Sequence, residues 1–128
     1  MDYFKYSIFG LKVETNFEIT FLKKLNKNYK SQLKVTLDRQ FKEPNNLYSL
    51  GTVFTNNYIY YIDKHKNIFR ISQNDTIDIK KHNNKKEKDI ALSLLGIPIG
   101  YFFFLKGMFV SHASIITRKR NAISFLGQ

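Results

Sequence analysis

A chain of 128 residues, 43% hydrophobic and 16% aromatic, is the size of one domain and apolar enough to build a core, which excludes a wholly disordered protein. It has no cysteine, which excludes a disulfide framework and a thiolate metal site, and His65, His82 and His112 are too scattered to form a ligand motif. The net charge is +11, but only Arg39, Arg70, Arg118 and Arg120 are arginines; a lysine excess reads as a solvated surface and argues against a nucleic-acid face, whose contacts are usually Arg-rich.

In chain order, Tyr3 to Phe9 alternates around Lys5 and Ser7 and ends at Gly10, which predicts a strand before a bend; Leu11 to Phe17 alternates again. In Glu18 to Leu25, the spacing of Ile19, Phe21, Leu22 and Leu25 fits either a short helical turn or an extended edge. The basic tail Lys23 to Lys30 reads as a surface loop. Ser31 to Asp38 places Leu33, Val35 and Leu37 on one side and Lys34 and Thr36 on the other, a half-buried strand, and Glu43-Pro44-Asn45 breaks the pattern after it.

A meander is predicted next, with strands at Leu47 to Thr55, Tyr58 to Asp63, Asn67 to Ser72 and Thr76 to Lys80. Asn56-Asn57 and Gln73-Asn74-Asp75 supply the turns, because Asn and Asp tolerate positive φ and bond back to their own backbone. Four strands joined by short turns make an antiparallel sheet. Tyr58, Tyr60, Tyr61 and Phe69 alternate there with Lys64, Lys66 and Arg70, a mixture that could stack bases but is more simply read as strand formers filling a core face. Tyr60 and Tyr61 point to opposite faces, so at most one is expected in the core.

His82 to Lys88 is a polar, basic linker and the one plausible boundary, dividing a β-rich lobe (1–81) from a second unit (89–128). A helix is expected to begin near Glu87 to Asp89, where acids suit the positive end of the dipole, to kink or split at Pro98, and to end at Lys106-Gly107. Its uncharged part, Ile90 to Leu105, falls short of the roughly 20 apolar residues that span a bilayer. A buried helix is expected rather than a membrane span. With no apolar region leading to a small-residue cleavage site at the start, the expected location is cytoplasmic.

The final stretch, Val110 to Gln128, is two short apolar runs around the basic turn Arg118-Lys119-Arg120-Asn121, and it stops at Gly127-Gln128. An apolar strand delivering a glycine into a tight loop is how a phosphate-cradling loop begins, since a backbone without a side chain can turn sharply and aim its amides at an anion. A lone glycine after an apolar run more often merely ends a strand. His112 is the titratable residue of this stretch; a histidine there can stabilise phosphate charge or simply bond its strand neighbours. Elsewhere Asp75 and Asp78 lie in or beside a turn and Glu87 and Asp89 begin a helix, so no carboxylate pair is set for acid–base work and no metal site is expected.

The run His112-Ala113-Ser114-Ile115-Ile116, a turn, then Ala122-Ile123-Ser124-Phe125-Leu126-Gly127-Gln128 resembles the lead-in to the nucleotide loop of kinases related to HPr kinase/phosphorylase. In that family a His-Ala-Ser or His-Gly strand and a second apolar strand precede Gly-x-Ser-Gly-x-Gly-Lys-Ser. Lys88 to Met108 is similar to the apolar helix before that strand, and Tyr3 to Phe21 to the opening strand and the Glu-Ile segment after it. The family usually has Asp-Gly at the hairpin turn, where this chain has Arg118 to Asn121.

The resemblance implies an α+β fold: a small antiparallel sheet or meander, an apolar helix, and a β-hairpin leading into a truncated P-loop. It implies a kinase of protein or peptide hydroxyls using ATP and magnesium, of which these residues are an N-terminal portion, inactive alone. Gly127 and Gln128 would begin the nucleotide loop and His112 would approach it. A homo-oligomer is compatible with this. The competing class is a non-enzymatic basic β module that binds nucleic acid or a partner protein.

Overall fold

The computed structural model describes residues 3–26, 28, 30–82 and 86–108, and the backbone of 113–118 and 121–126. Seven strands form one sheet: β1 (Phe4–Ile8), β2 (Leu11–Thr15), β3 (Leu33–Leu37), β4 (Thr52–Phe54), β5 (Tyr58–Ile62), β6 (Ile68–Ser72) and β7 (Thr76–Lys80). The strand order is β1-β2-β3-β7-β6-β5-β4. Three helices, α1 (Leu47–Leu50), α2 (Glu87–Leu94) and α3 (Ile97–Leu105), and a separate hairpin, β8 (Ala113–Arg118) with β9 (Asn121–Leu126), complete the α+β architecture.

The turns arise where the sequence supplies the chemistry for them. Between β6 and β7, Asp75 takes φ 64°, and the Ser72 hydroxyl accepts from the Asn74 amide at 3.0 Å. Between β5 and β6, one Asp63 carboxylate oxygen accepts from the amides of His65 (2.9 Å) and Asn67 (2.8 Å), while Lys66 adopts φ 66°. At Asn56-Asn57 the Thr55 amide donates to the Tyr58 carbonyl at 2.8 Å, closing the expected two-residue turn.

β4 to β7 form the expected antiparallel meander, and β1 pairs with β2 antiparallel. The two units are joined by β3, which runs parallel to both β2 and β7, so the sheet is mixed. Asn16 helps to hold this junction: its amide group donates to the Leu37 carbonyl at 3.1 Å and accepts from the Leu37 N–H at 2.7 Å, as a further strand residue would.

One expected strand is corrected. In Leu47 to Thr55 only Thr52–Phe54 is extended, because Leu47–Leu50 forms a helical turn. The Leu50 amide donates to the Asn46 carbonyl, and Gly51, at φ 80°, donates to the Leu47 carbonyl at 2.8 Å before the chain straightens. Glycine adopts that left-handed geometry without the Cβ clash other residues meet.

α2 begins at Glu87 with Glu87 and Asp89 in its first turn, and Pro98 at the start of α3 ends the continuous helix. Gly107, at φ 80°, donates to the Phe104 carbonyl and stops α3. The pair covers one face of the sheet. Ile90, Ala91, Leu94, Ile99 and Phe102 share a core with Tyr6, Val13, Leu33, Val35, Phe69, Ile71, Ile77 and Ile79. Each of the Val, Leu, Ile and Phe side chains among them contributes about 1.5–3 kcal/mol through burial.

Taken together, Glu87–Leu105 is a 19-residue segment long and apolar enough, by length and composition, to cross a membrane, although the uncharged stretch alone falls short; a third of it is buried in the protein. A second cluster, Leu47, Tyr60 and Ile68 with Phe41, Val53, Tyr58 and Ile62, lies on the opposite face. As expected, only one of Tyr60 and Tyr61 is buried: Tyr60 enters this second cluster, while Tyr61, on the other face, is half-buried at the margin of the first.

Candidate functional site

The terminal hairpin is an unbroken antiparallel ladder from Ala113↔Leu126 to Arg118↔Asn121. β-Branched and aromatic residues in both strands, Ile115, Ile116 and Thr117 in β8 and Ile123 and Phe125 in β9, favour the extended backbone that forms it. Ala113 and Leu126, the sequence neighbours of His112 and Gly127, are direct partners in the ladder. His112, Gly127 and Gln128 themselves lie outside the described residues.

A polar constellation lies on the sheet face away from α2 and α3. Arg70 on β6 and Asp78 on β7 are cross-strand partners, so both point to that face. Arg70 Nη2 and Nε donate to the same Asp78 carboxylate oxygen at 2.6 and 3.2 Å. The guanidinium carbon stands 4.6 Å from the ring centres of both Phe41 and Tyr58. Burial pulls the Arg70 pKa down, but the hydrogen bond and attraction of Asp78 outweigh it and leave it raised.

Two residues along β7, Lys80 donates to Glu43 Oε2 at 2.7 Å and to the Phe41 carbonyl at 2.9 Å. The Tyr48 hydroxyl donates to the other Glu43 oxygen at 2.8 Å. The Lys80 hydrogen bond chiefly depresses the Glu43 pKa; burial opposes it and the Tyr48 bond assists it. Glu43 raises the Tyr48 pKa in return. A groove of about 740 Å³ opens here between Phe41, Glu43, Pro44, Tyr48 and Lys80.

Chemically this cluster is closed on itself. Each charge has an opposite charge at hydrogen-bonding distance, and Phe41 and Tyr58 each direct a ring toward Arg70. It is suited to pinning the 38–46 loop onto the sheet. Among the described residues no group of three His, Asp or Glu could hold a metal ion. Asp75 and Asp78 part company: Asp75 pairs with Lys106, and Asp78 with Arg70.

Turn chemistry at Gln73 to Asp75 is the signal that could have placed Arg70 opposite Asp78, since Ser72 and Thr76 flank the turn as partners. No local signal marks Phe41 or Glu43, which reach Arg70 and Lys80 from a loop far away in sequence. No protein family, no curated protein and no solved structure matches this chain.

Proposed function

We propose that this chain provides the β-rich lobe, the apolar helices and the lead-in hairpin of an HPr kinase-like phosphotransferase. The observation that carries the reading is the β8–β9 ladder, in which the strand following His112 is partnered with the strand delivering Gly127. An apolar helix pair preceding that hairpin, and a sheet-rich lobe preceding the helices, agree with the order of elements the resemblance implies.

In this reading the γ-phosphoryl group of ATP passes to a hydroxyl of a protein or peptide, the hydroxyl proton leaves to a base, and ADP departs. ATP with magnesium supplies the phosphoryl group and part of the charge neutralisation. Gly127 and Gln128 contribute main-chain amides at the start of the phosphate loop, and His112 a donor near the phosphates. The magnesium ligands, the loop lysine and the catalytic carboxylate of such a kinase are not assigned to any of these 128 residues. In this reading the protein is cytoplasmic, which the packing of the helix pair on the sheet supports.

The test is to read the gene beyond Gln128 and titrate the full-length protein with a fluorescent ATP analogue and magnesium. A Ser-Gly-x-Gly-Lys-Ser continuation is expected, with nucleotide binding that Gly127→Val weakens at least about tenfold. A continuation without that loop, or a full-length protein that binds no nucleotide, overturns the reading.

A second reading, a basic module for nucleic acid, draws on the open sheet face beside the Arg70 cluster. There Lys5, Lys12 and Lys34 alternate with Glu14 as the acid. It predicts affinity for single-stranded nucleic acid that falls steeply with salt as counterions are released. A salt-independent or undetectable affinity removes it.

A further inference from the structure

The two outer strands of the seven-stranded sheet are finished differently. Along β1 the edge is covered: the Leu25 amide donates to the Lys5 carbonyl at 2.8 Å, and Lys24 bridges to Tyr6. At the other end of the sheet stands β4. Gly51 accepts from the Ile62 amide and Thr55 donates to the Tyr58 carbonyl, so Gly51, Val53 and Thr55 turn their main-chain groups toward β5. By the alternation of an antiparallel ladder, Thr52 and Phe54 turn theirs outward.

Natural edge strands are blunted by shortness, charge, proline, a bulge or a covering segment. β4 is short, three residues, but among the described residues it has none of the other devices. Its Phe54 is 61% exposed and the preceding Leu50 65% exposed. On the helix side Tyr101 packs edge-on against Phe54 at 5.7 Å between ring centres and reaches the Thr52 hydroxyl at 3.3 Å. Ile97 and Phe104, one helical turn either side of Tyr101 on α3, are 50% and 59% exposed.

The charge pattern selects the occupant. Residues 44–62 and 90–105 are the two longest runs of the chain without Asp, Glu, Lys or Arg, and the Tyr101 contacts bring them together at this edge. A molecule of net charge +11 repels its own copies across its lysine-rich surfaces, and this neutral apolar flank is where that repulsion is least. We propose that β4 is a self-association edge, pairing antiparallel with β4 of a second copy about a two-fold axis at Val53.

The register is self-consistent. With the axis at Val53, Thr52 faces Phe54 of the second copy and each exchanges main-chain hydrogen bonds with the other, while the two Val53 side chains oppose one another on the non-hydrogen-bonded pair. The two Phe54 side chains lie diagonally across the helix side, within reach of each other. Three residues of strand bury too little surface for a stable dimer, and the exposed side chains of Leu50, Ile97 and Phe104 offer further apolar surface to the contact. The proposal is independent of phosphoryl transfer.

The experiment measures the mass of the full natural chain in solution at micromolar concentrations, for the native sequence and for Phe54→Lys and Phe54→Glu. Phe54 is mostly exposed, so both variants should fold, as circular dichroism will check. Self-association is expected in the native chain. Each variant alone should lose it by at least about a hundredfold through like charges placed across the axis, and an equimolar mixture of the two should regain it. As a fold-independent check, Val53→Cys should form an intermolecular disulfide under mild oxidation in native buffer. A monomeric native chain, self-association indifferent to both Phe54 substitutions, failure of the mixture to reassociate, or a Val53→Cys variant that does not cross-link overturns the proposal.

Discussion

On the helix-covered face of the sheet, Phe69, Ile71, Ile77 and Ile79 bury against Ile90, Leu94 and Phe102 with no polar group among them. On the opposite face, alternate residues of the same two strands are Ile68, Arg70, Asp78 and Lys80, which meet Phe41, Glu43 and Tyr58 from a loop and a neighbouring strand. The first face is closed by nonpolar packing, whose stabilisation grows with area and tolerates many partners. The second is closed by a few directional contacts, each of which leaves an unpaired charge when its partner goes. The first therefore carries most of the stability, and the second determines where a particular loop rests.

The sharpest way to break that contrast is Phe69→Ala, which empties a fully buried position of the helix-covered face. A loss of about 3–5 kcal/mol in urea unfolding is expected, and a loss below that of any outer-face variant would reverse the ranking. Next is Asp78→Ala, which strands the Arg70 guanidinium between two rings; side-chain exposures of 17% and 9% for the pair place the loss at about 2 kcal/mol. Replacing both partners, Arg70→Met with Asp78→Val, should cost less than Asp78→Ala alone, because no charge is left unpaired.

The smallest effect is the pH dependence of the Lys80–Glu43 bond. Because the folded-state pKa of Glu43 is depressed, chiefly by Lys80, its contribution is present above the ordinary glutamate pKa of about 4.3 and disappears as pH falls through the folded value. Glu43→Gln should lower stability at neutral pH by about 1 kcal/mol or less and flatten the acid limb below pH about 4.3, with little difference from the native chain in strong acid. Urea midpoints measured across that range for both proteins decide it.

Much of the fold is legible in the residues alone. Period-two alternation locates Leu33–Leu37 and Thr76–Lys80, and Asn56-Asn57, Gln73 to Asp75, Pro98 and Gly107 place turns and breaks where the backbone has them. The misread element, Leu47 to Thr55, is a run of apolar residues in which periodicity alone cannot separate a helical turn from a strand. Of the expected site, the hairpin is present and His112, Gly127 and Gln128 lie outside the described residues. The Arg70 and Lys80 cluster is half legible: cross-strand register follows from the turn, whereas Phe41 and Glu43 arrive from a loop with no local signature.

By itself the sequence determined the elements whose causes are local: strands from alternation, turns from residues that accept positive φ, and the division of the helix at a proline that lacks an amide donor. Tertiary structure alone decided that β3 would lie parallel between β2 and β7, that Tyr60 would be buried in a second cluster on the face away from the helices, and that among the described residues one sheet edge would be covered and the other left open. Those outcomes depend on which distant segments exclude water from each other, and that is a property of the assembled chain rather than of any window along it.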